Sequence, residues 1–220
     1  MDKDFVLKYY ESIKVFLKDK DKENVVENNP TLLESYIKNK QNIELDIVNC
    51  IKKYLFDLEE VFKAESDINR LEHQTISNNF LTKAKEQLLL AIINTTFKVY
   101  LLHKDNEKKY LLKDNILNKY IPSSDIDNSS EIDNLIDNLH SLYLKKNSDY
   151  GNSFTFVRAR ISNAIMVRLY DKYNRIDSLL HKDINEVKDE SVNDTLIDLI
   201  NYCILELLEI NYEKALTNTQ

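Results

Sequence analysis

The chain has 220 residues, of which 43% are hydrophobic and 30% charged, enough for one sizeable domain or two small ones. One glycine and two prolines are too few for the turns of a β-protein, so we predict an all-α fold. The net charge of −7 and the lack of a basic tract argue against duplex nucleic acid as a partner. The short apolar stretches and the amphipathic amino terminus argue against a membrane span and a signal peptide, which favours a cytoplasmic protein.

Apolar residues recur every three or four positions along most of the chain, which predicts a series of helices. The predicted helices cover residues 4–18, 45–62, 78–103, 108–119, 131–146, 156–181 and 191–215. A connection at residues 121–130 separates an amino-terminal region, residues 1–120, from a carboxy-terminal domain, residues 130–215. The amino-terminal region has three open roles: completing the bundle, forming a dimer surface or binding a partner. The two cysteines lie in apolar patterns and are predicted to be buried, reduced thiols.

The single glycine, Gly151, lies between two predicted helices, in the sequence Lys146-Asn147-Ser148-Asp149-Tyr150-Gly151-Asn152-Ser153-Phe154. A glycine at such a position predicts a tight turn or a close approach of the backbone to another group. A glycine turn can expose backbone N–H groups to phosphate oxygens, while Lys146 could neutralise a phosphate and Tyr150 could stack on a base. A purely structural turn is the alternative.

The predicted helix at residues 156–181 has a lysine in its apolar stripe, which comprises Ile161, Ile165, Leu169, Ile176 and Leu179. At about 100° per residue, Lys172 falls between Ile165 and Leu179. Arg168 and Arg175 flank it on the same side. A buried ammonium group without a partner is costly, so Lys172 should find an anion, either a ligand phosphate or a structural carboxylate.

The last predicted helix carries three acidic residues on one face, Glu190, Asp194 and Asp198, and Asn201 continues that face. Its second half is apolar on nearly all sides and should be buried. Carboxylates this close repel each other unless something neutralises them. The neutralising group is either a Mg²⁺ or Mn²⁺ ion, which prefers oxygen ligands, or the cations of the neighbouring helix.

Three blocks of sequence in this order resemble a known family: residues 146–154, residues 167–175 (Val-Arg-Leu-Tyr-Asp-Lys-Tyr-Asn-Arg), and residues 188–202 (Lys-Asp-Glu-Ser-x-x-Asp-Thr-Leu-x-Asp-Leu-x-Asn-Tyr). The family is the nucleotide modification associated domain of phages and bacteria, and the resemblance covers roughly Leu144 to Ile210. It is related to the all-α NTP pyrophosphohydrolases of the MazG and dimeric dUTPase type. The resemblance therefore implies a helical site that binds a deoxynucleotide through Mg²⁺. In the MazG type the metal is held by Glu-x-x-Glu on one helix and Glu-x-x-Asp on a facing helix, whereas the acidic residues at 190–198 are spaced by four.

The leading hypothesis is a Mg²⁺-dependent hydrolase that cleaves a (deoxy)nucleoside triphosphate to the monophosphate and pyrophosphate. Catalysis and metal binding are assigned to Glu190, Asp194 and Asp198. Substrate binding is assigned to Lys146, Asp149, Tyr150, Gly151, Arg168, Lys172, Arg175 and Asn201. The two alternatives are a non-catalytic protein that binds or sequesters a nucleotide, and a helical interaction module in which the charged stripes form only an ion network. We expect a homo-oligomer, specifically a dimer.

Overall fold

The structure is a computed structural model that describes residues 1–23, 43–69, 75–104, 128–161, 163–181 and 191–217. These residues form seven helices and no strand, which confirms the predicted all-α fold. The helices are α1 (Lys3–Glu23), α2 (Ile43–Asn69), α3 (Thr75–Lys104), α4 (Ser129–Tyr150), α5 (Ser153–Arg158), α6 (Ala164–His181) and α7 (Val192–Thr217). The helix predicted at residues 108–119 and the predicted metal ligand Glu190 lie outside the described residues. None of the described helices is long and apolar enough to cross a membrane.

The helices of the first half of the chain pack directly on those of the second half. Helix α1 lies against α4, α2 lies against α3 and α6, and α3 and α6 both lie against α7. A continuous apolar core, with buried residues from all helices except α5, joins them. The amino-terminal helices therefore complete the bundle around α7. The division of the chain into two domains at residues 120–130 stays a prediction.

The second half of helix α7 is buried in the bundle, as its apolar pattern predicted. Every residue from Cys203 to Ile210 except Leu205 is buried. The helix begins with a capping box: the Asp194 N–H donates to Ser191 Oγ at 3.1 Å, and the Ser191 N–H donates to Asp194 Oδ2 at 3.2 Å. These two bonds satisfy N–H groups that the first turn of a helix leaves without a partner.

The predicted helix at residues 156–181 is wrong in its first part. Helix α5 ends at Arg158 and α6 begins at Ala164, with turns between them. Ile161 does not continue the apolar stripe, because it lies in this interruption and is 54% exposed. The new start of α6 is marked by Asn163, whose carbonyl accepts a hydrogen bond from the Met166 N–H at 3.0 Å. Asparagine is favoured immediately before a helix, so the signal for the break is present in the sequence.

Helices α1, α2 and α4 are longer than predicted. Helix α1 runs to Glu23, so residues 19–23, which lie beyond the predicted end of this helix at residue 18, are helical. Helix α4 runs to Tyr150, immediately before the glycine. Cys50 and Cys203 are both buried free thiols, as predicted.

A candidate binding pocket beside the glycine turn

Gly151 ends helix α4 with a backbone conformation that other residues rarely adopt. Its φ is 59° and its ψ is −150°, a combination close to the region that is essentially restricted to glycine. Its N–H donates to the Asn147 carbonyl at 3.0 Å, which satisfies one of the last carbonyls of α4. The predicted tight turn is therefore confirmed. The expectation that the turn offers its backbone to a phosphate is wrong for the Gly151 N–H itself, which is already bonded.

A cavity of about 300 Å³ lies beside this turn. It is enclosed by the end of α4, the turn, α5, the start of α6 and the middle of α7. Its polar side chains include Lys146, Asn152, Ser153, Arg168, Asn201 and Glu209. Its apolar and aromatic side chains include Tyr143, Phe154, Ile165, Tyr202, Leu205 and Leu208. This size is at the small end of the range for small-molecule sites, and the mixture of apolar walls with a few polar groups is typical of them.

Helices α6 and α7 run antiparallel where they line the pocket. The two ends of the pocket are therefore lined by different parts of each helix. The Lys172–Asp198 ion pair joins the two helices, and earlier residues of α6 line the pocket together with later residues of α7. Arg168 therefore lies near Asn201. Glu209 is eight residues further along α7, which corresponds to a distance of about 12 Å along the helix axis.

The glycine turn belongs to the Glu209 end of the pocket. Thr155, four residues after Gly151, donates a hydrogen bond from its hydroxyl group to the Glu209 carboxylate. Lys146 is three residues after Tyr143 on α4, and the Glu209 carboxylate is close enough to raise the pKa of Tyr143. One end of the pocket therefore combines Lys146, the turn and Glu209, and we call it the turn end. The other end, with Arg168 and Asn201, we call the far end.

Helix α5 has no buried residue; it is attached to the bundle by polar contacts and by Phe154, which packs against the apolar core. Arg158 Nε donates to both oxygens of the Glu206 carboxylate, at 2.9 and 3.1 Å, and Arg158 Nη1 contacts Glu213 Oε1 at 2.5 Å. Thr155 contributes the bond to Glu209. The Glu206 side chain is fully buried, so its charge depends on Arg158 for compensation.

The buried charges shift each other's ionisation. Burial raises the pKa of Glu206, although the Arg158 guanidinium beside it acts in the opposite direction. Burial alone would lower the pKa of Arg158, but the Glu206 and Glu213 carboxylates reverse that effect and raise it. Burial raises the pKa of Tyr143, and the nearby Glu209 charge raises it further. The turn end of the pocket therefore lies beside a group of charged side chains that change each other's pKa values.

Four of the predicted substrate-binding residues line the pocket: Lys146, Gly151, Arg168 and Asn201. Asp149 is exposed and does not line it. Lys172 and Arg175 also lie outside its walls. The Tyr150 side chain is not among those that the structure describes.

The predicted acidic residues serve other contacts. Asp198 Oδ2 lies 2.9 Å from Lys172 Nζ, so the structural carboxylate foreseen as one partner of this lysine is present. Asp194 belongs to the capping box of α7. Among the described residues, no three His, Cys, Asp or Glu side chains are grouped so that they could hold a metal ion. The described part of Glu190–Asp198 therefore does not by itself fit a metal cage, and the Mg²⁺ site stays a prediction.

Four residues at the turn end were not identified from the sequence: Thr155, Arg158, Glu206 and Glu209. A signal was available in α7, because Glu206 and Glu209 interrupt a stretch that is otherwise apolar and predicted to be buried. A glutamate in such a stretch requires a cation or hydrogen-bond donors. Nothing in the spacing identifies Arg158 and Thr155 as those partners, since the contact depends on how α5 folds back.

The comparisons with known proteins give one match. A family model described as "Nucleotide modification associated domain 1" matches residues 146–210. The search of curated proteins and the search of solved structures gave no match. The matched segment contains the glycine turn, α5, α6 and most of α7, and thus most of the pocket. Residues 146–210 are therefore similar to the nucleotide modification associated domain 1 family.

Proposed function

We propose that the pocket beside the glycine turn binds a nucleotide. The observation that carries the proposal is that the segment matching a nucleotide-associated family forms most of a cavity of about 300 Å³. The cavity is lined by the cationic side chains of Lys146 and Arg158 at the turn end and of Arg168 at the far end, with apolar and aromatic walls between them. Anionic phosphate and a flat, partly apolar base are the two components that such a pocket suits.

The phosphate group is placed at the turn end in this proposal. Lys146 supplies an ammonium group there, while Asn152 in the turn and Ser153 at the start of α5 supply polar side chains. A lysine ammonium is a compact charge with three donors, which suits phosphate oxygens. The sugar and base then extend along the α7 wall towards Asn201.

The test of this proposal compares two neighbouring lysines. Binding of deoxynucleoside monophosphates and triphosphates to the purified protein is measured by calorimetry, with and without Mg²⁺. Lys146→Ala should weaken binding at least about tenfold, because one charge-assisted phosphate contact is lost. Lys145→Ala is the matched control, since Lys145 is exposed but does not line the pocket. Absence of binding for every nucleotide, or equal losses in both variants, would contradict the proposal.

A second candidate function is hydrolysis of a nucleoside triphosphate to the monophosphate and pyrophosphate. It is favoured by Glu209, whose carboxylate lies in the pocket wall at the turn end, beside the position proposed for the phosphate. There it can accept a proton from a water that attacks the α-phosphorus, while the bond to the β-phosphate breaks and pyrophosphate leaves.

Hydrolysis and simple binding are distinguished by the products. Each deoxynucleoside triphosphate is incubated with the protein and a divalent cation, and monophosphate and pyrophosphate are quantified by chromatography. Glu209→Gln should abolish turnover while retaining nucleotide affinity, because the amide oxygen can still accept the Thr155 hydrogen bond. If the unmodified protein binds a nucleotide but releases no pyrophosphate, the non-catalytic function stands and the hydrolase is excluded. The Mg²⁺ requirement and a dimeric state are part of this proposal, and no step above depends on them.

A further inference from the structure

The pocket contains a buried hydrogen-bond acceptor that has no protein partner. Asn201 is 6% exposed and lines the cavity on the α7 wall. Its Oδ1 atom is buried and accepts no hydrogen bond from any residue that the structure describes. The large majority of buried side-chain polar atoms in proteins have a hydrogen-bond partner, so an unsatisfied acceptor in a pocket wall is suited to a donor from a ligand.

The chemistry of this acceptor restricts which part of a nucleotide it can contact. A carboxamide oxygen needs an N–H or O–H donor. A fully ionised phosphate carries only acceptor oxygens, so it cannot supply the N–H or O–H donor that the Asn201 Oδ1 atom lacks. The nucleoside part, in contrast, offers base N–H groups and sugar hydroxyl groups. Asn201 therefore contacts the nucleoside, which agrees with a phosphate at the turn end.

The position of Asn201 favours the base over the sugar. It lies about 12 Å along α7 from Glu209 and the turn end. In a nucleotide the sugar connects the phosphate to the base, so the base is the part that reaches the far end of the pocket. Tyr202, Ile165 and the planar guanidinium of Arg168 line the pocket near Asn201, and such groups pack on the faces of bases.

We propose that Asn201 accepts a hydrogen bond from a nucleobase N–H. Asn201 thereby recognises the nucleoside rather than the phosphate. This inference rests on the proposed nucleotide site. It goes beyond that site because it fixes the orientation of the ligand. It also specifies the ligand as a nucleotide that carries a base, and not as a sugar phosphate.

The test uses Asn201→Leu, which keeps the number and branching of the side-chain heavy atoms and removes the polar ones. Affinities for the four deoxynucleoside monophosphates and for deoxyribose 5-phosphate are measured by calorimetry. The variant should bind the preferred nucleotide at least about tenfold more weakly, because one buried hydrogen bond to the base is lost. Its affinity for deoxyribose 5-phosphate should remain that of the unmodified protein, since this compound lacks the base.

A matched control exists on the same helix. Asn193 also has a buried Oδ1 without a hydrogen-bond partner among the described residues, but it does not line the pocket. Asn193→Leu should leave all five affinities unchanged. Asn201→Asp restores an acceptor at the same position and should recover part of the lost affinity for nucleotides whose base carries an amino group. If Asn201→Leu does not fold, as judged by its thermal transition, Asn201→Ala provides the same comparison with a smaller side chain.

Three results would overturn the inference, and they separate it from the proposed function. If the preferred nucleotide binds Asn201→Leu as tightly as the unmodified protein while Lys146→Ala still weakens binding, the pocket stands and the role of Asn201 is wrong. If deoxyribose 5-phosphate loses affinity by the same factor as the nucleotide, the donor is a sugar hydroxyl and not the base. If the unmodified protein binds no nucleotide, the proposed function fails and this inference fails with it.

Discussion

Lys172 and Asp198 form an ion pair, 2.9 Å long, that joins the adjacent helices α6 and α7. Both side chains are partly shielded from solvent, with 15% and 31% exposed. The pair lies one turn away from Arg168 on α6 and three residues before Asn201 on α7, and thus borders the far end of the pocket. It therefore explains how a lysine can occupy the apolar stripe of α6, and it helps to set the register of the two walls.

Breaking this ion pair should affect stability more than ligand binding. Lys172→Met keeps the aliphatic part of the side chain and removes the charge. We expect the free energy of unfolding to fall by about 1 kcal/mol, the upper end for a partly exposed pair. Nucleotide affinity should change less than about twofold, because Lys172 does not line the pocket. Urea denaturation and calorimetry measure the two quantities.

Asp198→Asn should give a similar loss of stability, and the double variant should lose less than the sum of the two single losses. A complete loss of nucleotide binding in Lys172→Met would instead support a direct contact with phosphate.

The Arg158–Glu206 pair should be far more important for stability than Arg158–Glu213. Arg158→Ala leaves the fully buried Glu206 carboxylate without its cation and should lower the free energy of unfolding by about 3–5 kcal/mol. Glu213→Gln is the control: its side chain is 58% exposed, and the expected loss is below about 1 kcal/mol. Chemical denaturation of the two variants provides the comparison. Equal effects would show that the buried carboxylate is compensated by another group.

The Glu206 carboxyl group should also make stability depend on pH. Burial raises its pKa in the folded state above the ordinary value of 4.5. A raised folded-state pKa gives a contribution to stability that is complete below pH 4.5 and is lost as the pH rises through the folded-state value. The Glu206→Gln variant should lack this decline, so its free energy of unfolding should fall less between pH 4.5 and neutral pH than that of the unmodified protein. Denaturation curves at a series of pH values measure this difference, and parallel pH profiles would argue against it.

The features that could be predicted from the sequence are those set by local patterns. The periodicity of apolar residues identified the described helices that form the core, and Gly151 marked the turn. The buried stretch of α7 was also predicted, because it is apolar on nearly all sides. The break between α5 and α6 was missed, although Asn163 signals a helix start there, because the stripe from Ile161 onwards is compatible with an uninterrupted helix.

The details of the pocket could not be predicted for a physical reason. Glu206 and Glu209 are acceptable in the core only because Arg158 and Thr155 on α5 fold back to contact them. That contact depends on the tertiary position of a six-residue helix with no buried residue. For the acidic residues of α7, the sequence suggested more than the structure shows. Their regular spacing suggested that they share one ligand. In the structure Asp194 and Asp198 have separate partners, a helix cap and a lysine.

The two cysteines should be unreactive in the folded protein. Both Cys50 and Cys203 are fully buried, and burial raises the pKa of each thiol, which disfavours the nucleophilic thiolate. Ellman's reagent should therefore label neither thiol under native conditions at neutral pH and both after denaturation. Rapid labelling of either thiol in the native protein would show that the core around α2 or α7 opens more readily than this packing implies.

Gly151 should be required for its backbone conformation rather than for the space that it leaves. A Cβ atom at this position would have no heavy atom within 4 Å among the described residues, apart from its chain neighbours, so steric conflict with those residues is absent. The cost of a substitution is therefore backbone strain, and Gly151→Ala should lower the free energy of unfolding by about 1–3 kcal/mol. Gly151→Asn should recover little of this loss, because asparagine tolerates the left-handed helical region and the ψ of −150° lies outside it.

The same substitution should weaken the ligand site. The turn holds Lys146 at the end of α4 beside Asn152 and Ser153, so a strained turn moves the proposed phosphate contacts relative to each other. Gly151→Val should therefore reduce nucleotide affinity by about tenfold or more, measured by calorimetry at a temperature where the variant is folded. Ser148→Ala, at an exposed position of α4 outside the pocket lining, is the control and should bind normally. Unchanged affinity in folded Gly151→Val would show that the turn serves only to connect α4 and α5, and the phosphate would then have to bind elsewhere in the pocket.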